Sequence, residues 1–286
     1  MKIKDIIRSN NRILSFEVFP PKTSDSYDTV SNAVAEISQL SPAYMSVTYG
    51  AGGGRSQYTT KIAEEVLSYG ITPLAHLTCI SSSKNDVEEQ IYKMKQIGVE
   101  NILALRGDIP EGLDRTALDF HYAYELIKEI KKHGEFCVGG ACYPEAHPES
   151  ESLEKDIEYL KHKVDCGCDF FTTQMFFDNK IFYSFCERLH KEGVSVPIIP
   201  GIMPITSYSQ LNKMVLLSGN ELPKSFLNIV SKYDNDPISF KQAGIEFAIR
   251  QAKNIYDQGF KAVHVYSMNK PDVARIIKTN LREYLE

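Results

Sequence analysis

Long apolar runs are missing from this chain. No stretch of eighteen or more hydrophobic residues occurs, which excludes a conventional membrane-spanning helix. The first residues, Met1-Lys-Ile-Lys-Asp-Ile-Ile-Arg8, lack the apolar core of a secretory signal, and together these absences point to the cytoplasm. Positive charge is also short: 32 lysines and arginines face 37 acidic residues, for a net charge of -5. That balance excludes the basic footprint of a nucleic-acid-binding protein but leaves room for a local basic pocket around an anionic ligand. Cysteine is sparse. The six residues Cys79, Cys137, Cys142, Cys166, Cys168 and Cys186 fall within expected strands and helices, as small buried hydrophobes in a reducing compartment. Cys166 and Cys168 are too closely spaced for a structural zinc site and have no second pair, so no metal is expected. Linkers, low-complexity tracts and repeats are absent, which removes the usual marks of a domain boundary.

What the chain has is alternation. Apolar runs of strand length recur at Ile13–Phe19, Ala43–Tyr49, Thr72–Cys79, Asn101–Leu105, Cys137–Tyr143, Phe170–Phe176, Pro197–Met203 and Ala262–Met268. Between them lie segments of helical periodicity. In Ser24–Leu40, for example, Val30, Ala33, Val34, Ile37 and Leu40 fall on one face. Further helices are expected at Gln57–Tyr69, Asn85–Ile97, Asp119–His133, Ser152–Cys166 and Lys180–Glu192. A longer stretch, Ser207–Tyr256, is interrupted near Pro223 and Pro237, and a last helix starts at Pro271. The patch from Ser218 to Pro237 reads as an insertion before the last strand. Eight strands about thirty residues apart, each followed by a helix, predict a single (β/α)8 TIM barrel, α/β in class, over residues 1–286. An open doubly wound sheet would alternate too. The even repeats, and the lack of a dinucleotide glycine fingerprint after the first strand, favour closure.

A barrel of this kind places its site at the C-terminal strand ends. Those ends carry Glu17, Thr48, His76, Arg106 with Asp108, Tyr143, Gln174, and Tyr266 with Lys270. The fourth strand breaks most abruptly, from Ile102-Leu-Ala-Leu105 into Arg106-Gly-Asp108 and Pro110, and its bland reading is a surface turn with an Arg/Asp ion pair. Glu17 stands out because it lies inside the apolar run Phe16-Glu-Val-Phe19, where a carboxyl is suited to general-acid work. Gly50-Ala-Gly-Gly-Gly54 lacks a P-loop lysine and Rossmann spacing, so a loop over the barrel mouth is its expected role. His147 has only Glu145 and Glu149 as nearby ligand-type neighbours, and pinning a ligand suits it better than binding a metal. Asp156, Tyr159, His162 and Lys163 share one helix face, which spacing alone reads as a solvated charged face.

Taken together, the strand-end motifs resemble the 5,10-methylenetetrahydrofolate reductase family in its bacterial single-domain form. The matching pieces are Ser15-Phe-Glu-Val-Phe-Pro-Pro21, Ser46-Val-Thr-Tyr-Gly-Ala51, His76-Leu-Thr-Cys79, Leu105-Arg-Gly-Asp108 and Tyr143-Pro-Glu-Ala-His-Pro148. Lys163-Val-Asp165, Thr173-Gln174 with Phe177-Asp178, and Ile199-Pro-Gly-Ile-Met-Pro204 continue the match in order. The resemblance implies a flavoprotein that carries FAD at the strand ends and works by a ping-pong cycle. NADH or NADPH delivers hydride first, and methylenetetrahydrofolate then takes it to become 5-methyltetrahydrofolate, a step in one-carbon metabolism and methionine biosynthesis. It further implies that Glu17 is the acid that helps open the folate's five-membered ring, and that Asp108 contacts the pterin and tunes the flavin.

FAD contacts implied by the resemblance fall on Thr48, His76, Leu105, Arg106, Gly107, Asp108, Tyr122, Ala123, Ala141, Tyr143, His147, Asp156 and Lys163, with Tyr159 and His162 on the same helix. Folate contacts fall on Glu17, Asp108, Gln174, Gln210 and Lys270. Four positions depart from the family pattern. Met214 stands where an aromatic residue is usual, and Lys270 stands for an arginine, keeping the charge but losing the bidentate fork. Tyr159 replaces an asparagine, and His162 an arginine. Family barrels commonly associate, so a homo-oligomer is implied. Two other readings remain open from the residues: a different flavin-barrel dehydrogenase of a small amine, and an FAD- or folate-binding subunit reduced only by a partner protein.

Overall fold

Nine parallel strands form one sheet: β1 (Ile13–Val18), β2 (Met45–Val47), β3 (Pro73–Thr78), β4 (Asn101–Leu105), β5 (Cys137–Cys142), β6 (Phe170–Thr173), β7 (Ile198–Ile199), β8 (Gly201–Ile202) and β9 (Ala262–Val265). They run in the order β7-β6-β5-β4-β3-β2-β1-β9-β8. The computed structural model describes residues 1–9, 11–21, 23–49, 56–109, 112, 118–218 and 222–286. The glycine stretch Gly50 to Gly54 lies outside the described residues.

The expected seventh strand is divided at Pro200. Proline has no N–H to give to a ladder, so β7 pairs with β6 while β8 pairs with β9. The Pro200 carbonyl still accepts from the His264 N–H at 2.9 Å. The first and last strands of the ladder are therefore halves of one segment, and the sheet curls into a (β/α)8 barrel. Several strands stop short of their expected ends: β2 at Val47, β6 at Thr173 and β9 at Val265. After β9 the chain turns sharply through Met268 and Asn269, both left-handed with φ of 55° and 54°. The Asn269 side chain then brackets Phe19, accepting from its N–H at 2.8 Å and donating to its carbonyl at 2.9 Å. This clamp ties the loop after the last strand to the loop after the first.

Twelve α-helices accompany the strands among the described residues: α1 (Ile3–Arg8), α2 (Tyr27–Ser38), α3 (Ser56–Ser68), α4 (Lys84–Gln96), α5 (Ala123–Lys132), α6 (Leu153–Asp165), α7 (Asn179–Lys191), α8 (Tyr208–Ser218), α9 (Lys224–Lys232), α10 (Pro237–Asp257), α11 (Pro271–Asn280) and α12 (Arg282–Leu285). Their starts follow local chemistry. Ser152 caps α6 by accepting from Lys155 N, and Asp236 caps α10 ahead of Pro237. α5 begins later than its periodicity suggests, because Glu125 turns back to accept from the N–H groups of His121 and Tyr122. None of the described helices is long and apolar enough to cross a membrane. Cys79, Cys137, Cys142 and Cys168 are buried as expected, whereas Cys166 and Cys186 are half-buried.

Two apolar layers hold the barrel. Outward-facing Phe16, Val18, Val47, Leu77 and Ile102 pack against the helices, including the Val30, Val34 and Ile37 stripe of α2. Inside, Ile13, Leu74, Leu103, Cys137, Phe170, Ile199 and Ala262 fill the lower barrel with Tyr44, and Ile3 of α1 closes it from below. Burying each of the larger aliphatic or phenyl side chains, such as Leu74 or Phe170, contributes about 1.5–3 kcal/mol. Gly139 is glycine for lack of space, since a Cβ there would lie 2.6 Å from the Phe170 ring. Because the side-chain period is two, residues higher on the same inward faces include Ser15, Glu17, His76, Thr172 and His264. The filling changes from apolar to ionisable along each strand, and the site begins there.

Candidate active site

Glu17 is buried at 6% exposure near the top of β1. Parallel register places it beside Ser46 of β2, and Ser15 beside His264 of β9. The Ser46 hydroxyl donates to Glu17 Oε2 at 3.1 Å and lies 3.1 Å from His264 Nε2. His264 Nδ1 meets the Ser15 hydroxyl at 2.8 Å, and Ser15 Oγ lies 3.4 Å from the Val263 carbonyl. This chain of hydrogen bonds is satisfied in either direction. With Glu17 ionised, Ser15 donates to Nδ1, Nε2–H donates to Ser46, and Ser46 donates to the carboxylate. With Glu17 protonated every donor reverses, His264 takes its other tautomer, and Ser15 donates to the Val263 carbonyl. A buried carboxyl can thus gain or lose a proton without stranding a polar partner. Tyr44 stacks on the His264 ring at 5.7 Å, and Ser267 Oγ donates to the Glu17 carbonyl at 2.7 Å, which fixes the backbone.

His76 reaches toward the same carboxylate, with Nε2 3.6 Å from Glu17 Oε2. Burial outweighs the pull of Glu17 and holds its pKa down at about 4, so the imidazole is neutral near pH 7. Among the described residues, His76 Nε2 and Thr172 Oγ1 are buried without a hydrogen-bond partner, and both residues line a cavity of about 380 Å³ at the barrel mouth. Unmet buried polar groups are costly, so their placement marks where a polar ligand edge would be received. Glu17, Thr48, Leu105, Asp108, Ala141, Tyr143 and Gln174 line the same cavity.

From the mouth the surface continues as a trough. A second cavity of about 180 Å³ shares Leu105, Asp108, Ala141 and Tyr143 with the first and adds Arg106, Gly107, Ala123, His147 and Lys163. A third, of about 290 Å³, shares Arg106, Ala123, His147 and Lys163 with the second and adds Tyr122, Tyr124, Glu149, Lys155, Asp156 and Tyr159. Gly107 sits at the turn after β4 with φ of 89°, a backbone shape that suits glycine. Arg106 does not pair with Asp108. Its guanidinium grips Glu149 through bonds of 2.7 and 2.8 Å, and this contact raises its pKa. Lys163 Nζ donates to the Ala141 carbonyl at 2.7 Å, and Asp156 accepts from His147 N–H at 3.3 Å. Burial pushes the Lys163 ammonium down and the Asp156 carboxyl up. The helix face that spacing alone read as solvated is therefore turned partly into the trough.

These residues suit a long ligand with a flat ring at one end, anionic groups in the middle and a second ring beyond. FAD has that shape. Neutral His76 and Thr172 offer hydrogen bonds at the mouth, Arg106 and Lys163 offer cations midway, and Tyr122 and Tyr159 offer flat faces at the far end.

Other expected residues lie elsewhere. Gln210 folds back on its own loop, accepting from Thr206 N–H at 2.9 Å and donating to the Pro204 carbonyl at 3.3 Å. Lys270 donates to Thr206 Oγ1 at 2.6 Å. Met214 is buried in an apolar cluster with Phe177, Leu211 and Phe240. His162 is exposed and touches Tyr124 at 5.9 Å. Gln174, by contrast, stays at the mouth cavity, where its side-chain carbonyl accepts from Met175 N–H at 2.9 Å. Sequence reasoning passed over His264, Ser46 and Glu149. The signal for His264 was there, a lone histidine inside the apolar run Ala262-Val-His-Val265 at an inward position. Among the described residues one further set of metal-ligating types, Glu88, Glu129 and His133, gathers on α4 and α5, where Lys84 and Lys132 approach the carboxylates.

A parallel barrel whose ionisable groups crowd the C-terminal strand ends above an apolar plug, with a trough leading away, belongs to the barrel enzymes. The sequence profile of methylenetetrahydrofolate reductase matches residues 2–282. A 5,10-methylenetetrahydrofolate reductase of Pectobacterium carotovorum is 34% identical over 265 residues, covering 92% of this chain and 88% of the relative. The Escherichia coli relative of the same name is 33% identical with the same coverage. A methylenetetrahydrofolate reductase (NADH) of Arabidopsis thaliana is 32% identical, covering 98% of this chain and 50% of the plant protein. The chain belongs to the methylenetetrahydrofolate reductase family. Its fold is also that of a solved Clostridium thermocellum protein described as binding two copies of 5-methyl-5,6,7,8-tetrahydrofolic acid, with a TM-score of 0.65 at 14% identity over 98% of this chain and 99% of that one.

Proposed function

We propose that this enzyme reduces 5,10-methylenetetrahydrofolate to 5-methyltetrahydrofolate in the cytoplasm, with residues 1–286 acting as one catalytic domain, FAD as cofactor and NADH or NADPH as donor. The observation that carries the reading is a buried carboxyl, Glu17, with a reversible hydrogen-bond chain behind it and a trough lined by Arg106 and Lys163 leading from the mouth in front. When bound, FAD supplies the hydride carrier that lets donor and folate use the mouth in turn. Glu17 supplies the proton that the ring nitrogen needs as its C–N bond breaks, and Ser46 and His264 follow by reversing their donors. Asp108, exposed on the mouth rim, and Gln174 hold the pterin edge. Lys270, freed from Thr206, meets an anionic tail. Arg106 and Lys163 receive the cofactor's phosphates, with His147 and Asp156 shaping the floor. Neutral His76 donates or accepts a hydrogen bond without adding a charge.

The test separates the half-reactions. Glu17→Gln keeps the size and loses the acid. Reduction of the bound flavin by nicotinamide continues, while reoxidation by methylenetetrahydrofolate slows by about 10²–10⁴. Full folate reduction by the variant would remove Glu17 from the acid role.

A further inference from the structure

One buried hydroxyl beneath the mouth is left out of the relay behind Glu17. Tyr44, just before β2, is wholly buried. Among the described residues its hydroxyl closes no hydrogen bond of ordinary geometry, a costly state for a buried polar group. Register shows what stands beside it. Met45 is opposite Phe16, and the Ala43 N–H donates to the Leu14 carbonyl at 2.9 Å, so Tyr44 lies next to Ser15. Ser15 faces His264 on its other side. Tyr44, Ser15 and His264 thus form one inward row on three neighbouring segments, below the row that holds Ser46 and Glu17. The Tyr44 ring lies over the His264 ring with 6° between planes, and Ser15 is the hydrogen-bonding neighbour that acts on the phenol.

The two states of the relay treat that phenol differently. With Glu17 ionised, Ser15 donates to His264 Nδ1 and its oxygen is open to a donor. Tyr44 O–H then extends a chain in which every donor points toward the carboxylate. With Glu17 protonated, His264 Nδ1–H donates to Ser15, and Tyr44 must share that oxygen or stay unpaired. We propose that Tyr44 is a positioning residue whose hydroxyl biases the relay toward ionised Glu17. Its bearing on the reaction rests on the acid role given to Glu17 above: the bias eases departure of the proton and limits the pH range in which the acid is loaded. That proton goes to the folate ring nitrogen, and behind Glu17 only the direction of the hydrogen bonds changes. Tyr44 keeps its own proton, since burial holds the phenol well above its ordinary range. The other titratable groups facing Glu17 or Tyr44 are His76, Cys137, His264 and Tyr266. His76 titrates near 4, and burial keeps Cys137 and Tyr266 protonated at neutral pH, whereas His264 moves with the relay.

Infrared difference titration of the full chain follows the Glu17 carboxyl band, identified by its loss in Glu17→Gln. Tyr44→Phe keeps the ring and removes the hydroxyl. We expect the midpoint of that band to move up by about 0.5–1 pH unit, and the high-pH fall-off of the folate half-reaction to move with it. In a Ser15→Ala background the same substitution should move neither, because the link to His264 is already cut. An unmoved midpoint in Tyr44→Phe, or an equal displacement without the Ser15 hydroxyl, overturns the role of Tyr44. A midpoint that moves while the folate half-reaction keeps the fall-off of the parent upholds the bias and sinks the acid reading of Glu17 instead.

Discussion

Arg106 and Glu149 face each other through two parallel hydrogen bonds, Nη1 to Oε2 at 2.7 Å and Nη2 to Oε1 at 2.8 Å. Both residues line the outer cavity of the trough. Glu149 is an internal carboxylate on the cation that an anionic ligand needs. Replacing it with glutamine leaves the shape and removes the competing charge. Pyrophosphate binding to Glu149→Gln should tighten several-fold at low salt, and the gain should fade as salt screens it. An exposed pair contributes only about 0–1 kcal/mol to stability, so the melting temperature should hardly move. Unchanged pyrophosphate affinity at low salt would show that Glu149 does not compete for Arg106.

His76 makes stability depend on acid. Its pKa is about 4 in the folded chain and near 6.5 when unfolded, so between those values the unfolded state binds the extra proton. The contribution is fully present above about pH 6.5 and is lost as pH falls toward 4, at about 1.4 kcal/mol per pH unit. Urea unfolding of the parent and of His76→Gln at pH 7.5, 5.5 and 4.5 reads this directly. The gap between the two proteins should shift steadily in favour of the variant as pH drops. Parallel curves would mean that His76 binds its proton in the fold as it does in the unfolded chain.

Ser46 is the hinge of the relay behind Glu17. Ser46→Ala removes the hydroxyl that touches both Glu17 and His264 and leaves the cavity lining otherwise intact. The folate half-reaction should slow about tenfold, with flavin reduction by nicotinamide unchanged. Equal slowing of both half-reactions would point to a general loosening of the mouth.

Gly201 closes the barrel. A Cβ there would lie 2.5 Å from both the Thr173 carbonyl and the Tyr266 hydroxyl. Because one obstacle is backbone, Gly201→Ala should cost about 1–3 kcal/mol by overpacking and lower the melting temperature by roughly 2–4 °C per kcal/mol. An unaltered melting temperature would mean that the strand can shift at no cost.

Much of the barrel was legible in the chain because its signals are local. Apolar runs of strand length, helical stripes such as Val30, Val34 and Ile37, and caps such as Ser152 and Asp236 each act within a few residues. Strand ends were less legible. β6 stops early although Met175, Phe176 and Phe177 continue the apolar run, because those side chains leave the ladder to pack elsewhere. Pro200 was visible, but its effect was not. A proline that splits a strand between two neighbours makes sense only once both neighbours are in place.

The residues at the mouth follow the same division. Period two alone puts Glu17, His76 and Tyr143 on inward strand faces or just beyond them, so the sequence by itself determined which side chains could meet. The tertiary structure decided which ones do. Glu17, Ser46 and His264 come from three strands far apart in the chain, and only parallel register in a closed ring aligns them. Arg106 prefers Glu149 to nearby Asp108 because the loop after β5 folds over the end of β4. Gln210 and Lys270 both turn to Thr206 because partners within hydrogen-bond reach satisfy them there. Local propensity sets the elements, whereas partner choice among polar side chains depends on distances of a few ångströms between segments that meet only on folding.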